Sequence, residues 1–173
     1  MPSNRKSTRL APANYLGQKL YFITVCCDRR HCYLADQSTA RQVVAILYDV
    51  TAKHAFLLHA YCAMPDHIHF LIHGLNFHSD LLRLMKEFKS RTAYFFKRSH
   101  GQQLWEMSYH DHILRKADDI ESVACYIWNN PVRKGLCDQP QHFSFSGSST
   151  IHWIKAARIK DSFLPPWKPD GPV

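Results

Sequence analysis

The chain has 173 residues, 46% of them hydrophobic, and its 22 Lys and Arg against 14 Asp and Glu give a formal charge of +8. That length supports one domain with a real core, and the composition is that of a globular rather than a disordered protein. No apolar run approaches the roughly 20 residues of a membrane span. The charged start "MPSNRKSTRL" lacks an apolar signal core, so a cytoplasmic protein is expected, with no membrane partner. The cationic excess favours a polyanion, nucleic acid before others. Cys26, Cys27, Cys32, Cys62, Cys125 and Cys137 show no CxxC spacing and read as reduced thiols.

Residues 1–18 are polar and basic, with Pro2 and Pro12, and read as a loosely docked arm. "KLYFITVCC" (19–27) is β-branched and aromatic, hence a strand. In residues 36–54, Val43, Val44, Leu47 and Val50 recur at helical spacing behind a cap at Asp36 or Ser38. "FLLHAYCAM" (56–64) is a second strand, Pro65-Asp66 a tight connection, and "HIHFLIH" (67–73) a third strand. Residues 79–100 form a long amphipathic helix capped by Ser79 or Asp80. Its apolar stripe is Leu81, Leu84, Met85, Phe88, Phe95 and Phe96. "GQQLWEMSY" reads as a loop and 110–115 as a fourth strand. Residues 118–130 read as a third helix, opened by acids and ended by Pro131. The order β-α-β-β-α-β-α predicts an α+β, ferredoxin-like domain over 19–150. Its antiparallel sheet carries helices on one face and leaves the other for a site. The tail 151–173 is proline-rich and is expected to lack regular structure.

Alternation along the third strand puts Ile68, Phe70 and Ile72 on the helix-covered face and His67, His69, Leu71 and His73 on the other. His-x-His on a strand sets two imidazoles side by side, which suits two ligands of one divalent ion. It equally suits a solvent face that happens to be rich in histidine. His110 and His112 have the same spacing and are a rival pair. The tight turn feeding an apolar strand favours His67 and His69 as the more rigid mount. On the third helix Tyr126 and Asn130 share a face. A phenol can act as a covalent nucleophile and an amide oxygen can bind a hard cation; the plain alternative is a half-buried aromatic and a helix-end cap. Tyr94 and Tyr109 are competing phenols.

"YFITVCCDRR", "YCAMPDHIHFLI", "LWEMSYHDHILR" and "YIWNNPVRKGL" occur in that order and at suitable separations. Together they resemble the REP-associated tyrosine transposases, relatives of the single-tyrosine insertion-sequence transposases of the HUH class, over roughly residues 12–148. The resemblance implies a ferredoxin-like fold and the cutting and rejoining of single-stranded DNA beside imperfect hairpins. It makes His67 and His69 the metal pair, Tyr126 the nucleophile and Asn130 the third ligand, at a position where many relatives carry glutamine. His112 lies in the motif "DHILR" with its role open. Mixed nitrogen and oxygen ligands suit Mg2+ or Mn2+. The partner implied is single-stranded or hairpin DNA of REP type, bound by a monomer or a homodimer. Candidate phosphate contacts are Arg83, Lys86, Lys89, Lys97 and Arg98 on the second helix, and Arg115, Arg133 and Lys134 nearer the site. Two rival classes remain: a hairpin-binding regulator without catalysis, and a metal nuclease that uses water.

Overall fold

The computed structural model describes residues 12–115, 119–152 and 163–166. Most of the expected arm and tail lies outside the described residues. Five strands form one sheet: β1 (Leu20–Cys26), β2 (Phe56–Met64), β3 (His67–Gly74), β4 (His110–Ile113) and β5 (Ser146–Gly147). Their spatial order is β4-β1-β3-β2-β5, and every neighbouring pair is antiparallel. The crossovers are α1 (Gln37–Lys53), from β1 to β2, and α2 (Leu81–His100), from β3 to β4. Two interleaved β-α-β units of this kind make the ferredoxin-like fold.

Alternation decides the two faces. Tyr21, Ile23, Val25, Ile68, Phe70 and Ile72 are buried beneath α1 and α2. Phe22, Ala60, Cys62, Met64 and Leu71 face the opposite side. β2 slips register between Leu58 and Ala60, so His59 is the extra residue of a bulge. The bulge lets Phe56 and Leu58 before it, and Tyr61 and Ala63 after it, enter the same core.

Helix ends follow capping chemistry. The Asp36 carboxylate accepts from the Thr39 amide at 2.8 Å and opens α1. Asp80 accepts from the Arg83 amide at 3.1 Å and opens α2, which closes on Gly101 in the left-handed region, φ 69°. The expected stripe of α2 is buried except for Phe95, which is 39% exposed. Thr92 takes the core position instead. Its hydroxyl donates to the Phe88 carbonyl and accepts from the Trp105 indole N–H at 2.7 Å.

Two expectations need correcting. The third helix does not run to Pro131: α3 spans Ile120–Trp128, and a short α4, Asn130–Arg133, follows at once. Proline in a first turn has no N–H to lose and a φ already suited to helix, so Pro131 opens α4 instead of closing α3. Helices also do not all share one face. α3 lies on the second face, over β2 and β3. Every residue from Val123 to Trp128 is buried, and a helix apolar on all sides must be covered on all sides.

Residues 12–18, read as part of the arm, dock against the body. Tyr15 is buried, Gly17 donates its amide to the Ser79 carbonyl, and the Tyr21 hydroxyl donates to the Asn14 carbonyl at 2.7 Å.

Candidate active site

The cross-strand register places His67 beside Cys26 and His69 beside Thr24 on β1. On the other edge of β1, β4 places His110 opposite Thr24 and His112 opposite Phe22. Phe22, Thr24, His67, His69, His110 and His112 therefore share the face that α1 and α2 leave uncovered. They line one cavity of about 780 Å3, closed by Tyr126 and Asn130 from α3 and α4 and bordered by Arg30, Asp66 and Lys134. The two His-x-His pairs are not rivals; they form two walls of one site, with β1 between them.

The pair on β3 is held from behind. Asp66 Oδ1 lies 2.6 Å from His67 Nδ1, and Arg30 reaches Oδ2 at 3.2 Å. The hydrogen bond from His67, then the nearby imidazole and guanidinium charges, bring the Asp66 carboxyl down to about 2 despite its partial burial. An ionised carboxylate only accepts, so His67 Nδ1 carries the proton that bonds it, and Nε2 is turned toward His69. His69 Nδ1 sits 2.8 Å from the Thr24 hydroxyl, which donates or accepts as required. The two Nε2 atoms lie 3.0 Å apart.

That spacing bears on whether a metal fits. Two imidazole nitrogens converging this closely could both serve one divalent ion. The Thr24 hydroxyl can donate to or accept from His69 Nδ1, and Asp66 accepts from His67 Nδ1, so each imidazole has the kind of outer partner that orients a metal-binding histidine. Asn130 also fits: its amide nitrogen donates to the carbonyls of Tyr126 and Ile127 at 3.2 and 3.1 Å, leaving Oδ1 as the end suited to a cation. Among the described residues no group of three or more His, Cys, Asp or Glu gathers for a metal.

Tyr126 is 6% exposed and faces the cavity. Its ring meets Phe22 at 6.1 Å and lies under the Arg133 guanidinium, 4.3 Å from the ring centroid. Burial, and then the His110 charge, push the His112 imidazole down from its ordinary value.

The expected phosphate contacts separate. Lys134 borders the cavity. Arg115 is exposed at the end of the chain segment that carries β4. Arg83, Lys86, Lys97 and Arg98 lie on the exposed side of α2, beyond the sheet from the cavity; Arg83 pairs with Asp80 and Arg98 covers the Tyr94 ring. Lys89 is a loop anchor, its ammonium bonded to the carbonyls of Glu106 and Met107 at 2.7 and 2.8 Å. Arg30, Asp66 and Thr24 were missed by sequence reasoning. Their signal was slight: a turn aspartate beside a histidine, and a strand threonine on the histidine face.

The model for transposases of the IS200 type matches residues 17–130. A candidate REP-associated tyrosine transposase of Haemophilus influenzae is 28% identical over 145 residues, covering 73% of this chain and 78% of that protein. A second, uncharacterised H. influenzae protein is 22% identical over 160 residues, 75% of this chain and 89% of its own length. A REP-associated tyrosine transposase solved with a REP hairpin superposes with a TM-score of 0.63 at 22% identity, covering 84% of this chain and 82% of the other. A transposase candidate from Deinococcus radiodurans gives 0.50 at 22% identity, with 62% and 88% covered. The class is thus that of the transposases, DNA-cleaving enzymes. The matched segment takes in well over half the sequence, and the chain belongs to the IS200-like transposase family.

Proposed function

We propose that this transposase nicks and rejoins single-stranded DNA beside a hairpin through a covalent bond to Tyr126. The observation that carries the reading is the convergence of His67 Nε2 and His69 Nε2, 3.0 Å apart, in the cavity that Tyr126 lines. His67, His69 and the Asn130 amide oxygen would hold a divalent ion, Mg2+ or Mn2+. When bound, such an ion draws charge from a non-bridging oxygen of the scissile phosphate. Tyr126 Oη attacks phosphorus in line. The Oη–P bond forms as the P–O3′ bond breaks, the phenol gives up its proton, and the departing 3′ oxygen takes one up. The products are a 5′-phosphotyrosine and a free 3′-OH. The ester keeps the free energy of the phosphodiester, so rejoining by the 3′-OH needs no nucleotide cofactor. Lys134 and Arg30 sit where the strand backbone would enter. The relative solved with a REP hairpin supports a hairpin as the DNA partner. Among the described residues no helix is long and apolar enough to cross a membrane, in keeping with action on DNA in the cytoplasm.

The test is a labelled single-stranded hairpin DNA incubated with the protein and Mn2+ and run on a denaturing gel. A protein–DNA adduct is expected, and it should vanish with EDTA and in Tyr126→Phe. Nicking without an adduct in both proteins would instead identify a water-using nuclease. Binding without nicking would identify a regulator.

A further inference from the structure

Arg133 was expected among the cations that hold DNA phosphate. Its position is different. Nη2 donates to the Tyr126 carbonyl at 2.6 Å, and the guanidinium lies over the Tyr126 ring, 4.3 Å from its centroid. One side chain thus grips both the backbone and the ring of the same residue. α3 stops at Trp128, and the Tyr126 carbonyl at its last turn accepts from the side chains of both Asn130 and Arg133. The Arg133 amide in turn donates to the Asn129 carbonyl at 2.9 Å, which fixes α4 against the end of α3.

We propose that Arg133 is a positioning residue for Tyr126, holding the phenol toward the cavity, and not a phosphate contact. The proposal rests on Tyr126 being the nucleophile. A guanidinium stacks flat on an aromatic face, and the attraction depends on the ring, not on the hydroxyl. The clamp therefore stays in place when the hydroxyl becomes a phosphoester, so one ring orientation serves both cutting and rejoining. Phe22 contacts the same ring at 6.1 Å and Phe163 meets it edge-on at 5.5 Å, so turning the ring means breaking several contacts at once. Tyr94 lies beneath Arg98 on exposed α2, away from the cavity, and that pair lacks the backbone grip.

The experiment compares the wild type, Arg133→Gln, Arg133→Lys and Lys134→Gln as full-length chains with hairpin DNA and Mn2+. It measures hairpin affinity at several salt concentrations and the rate of adduct formation at saturating DNA. Arg133→Gln is expected to slow that saturated rate about tenfold or more while affinity and salt slope stay at wild-type values. Arg133→Lys keeps a cation and a donor but loses the planar guanidinium over the ring, and should recover part of the rate. Lys134→Gln should show the opposite pattern, weaker binding with a smaller salt slope. The proposal is overturned if Arg133→Gln weakens binding and lowers the slope while its saturated rate is unchanged. If Arg133→Gln does not fold, Arg133→Lys decides alone: a wild-type saturated rate with weakened binding overturns the proposal. An adduct that persists in Tyr126→Phe would defeat the nucleophile reading itself, a result independent of these rates.

Discussion

At the scale of single residues, the site depends on partners that never touch a substrate. Thr24 offers His69 a hydroxyl that suits either tautomer. Thr24→Val keeps the shape and removes that partner, so Mn2+ affinity should fall by about tenfold or more, read by calorimetry on the protein without DNA. An unchanged affinity would mean that His69 is not a ligand. A second residue carries a pH effect. His59 is 8% exposed; burial, and then the charge of His73, push its imidazole down to about 4. Its unfolded value is about 6.5, so the unfolded chain takes up this proton first. The stability His59 contributes is complete above about pH 6.5 and drains away as pH falls toward about 4, by roughly 3 kcal/mol. The stability of wild type relative to His59→Gln, read from thermal melts, should fall as pH drops from about 6.5 toward about 4; a difference that stays constant across that window would remove His59 as the cause. That His67, His69, Tyr126 and Asn130 would face one cavity could be anticipated from the sequence, because strand alternation and motif order are local signals. Thr24 and Asp66 could not, because their roles depend on which residue lies across the sheet or behind the imidazole.

At the scale of elements, the strands and the two long helices were legible to within a residue or two, since each has a clear period and a clear cap. The joint between α3 and α4 was not, because a proline both ends helices and begins them, and only the fold of the following residues decides which. β5 has two residues and no period to read. The docking of residues 12–18 was also hidden. It hinges on Gly74, where an added Cβ would lie 2.1 Å from the Gly17 carbonyl oxygen. Gly74→Ala must therefore push the N-terminal segment off the end of β3, and a loss of about 1–3 kcal/mol is expected in urea unfolding. Wild-type stability in that variant would show that the segment is not pressed there. At the head of α1, Asp36→Ala should cost about 1 kcal/mol in the same measurement through the lost cap.

At the scale of the whole molecule, the formal charge is +8, and among the described residues cations stand both at the cavity, as Arg30 and Lys134, and on α2, as Arg83, Lys86, Lys97 and Arg98. DNA affinity should fall steeply between about 50 and 200 mM salt through counterion release, and a flat response would exclude phosphate contacts. The division of the proposed catalytic parts has another consequence. The histidine pair stands on β3, the middle strand, hydrogen-bonded on both edges and joined to β2 by the shortest of turns. The tyrosine stands on a nine-residue helix that covers one face. In hydrogen–deuterium exchange, β3 amides such as those of Ile68 and Phe70 should open only with the whole protein, whereas α3 amides should open in a smaller unit. Trp128, 1% exposed and bonded through its indole N–H to the Gly147 carbonyl, pins that unit. Loosening it with Trp128→Ala would disengage the phenol and leave the imidazoles in register, so that the protein still takes up metal but no longer cuts.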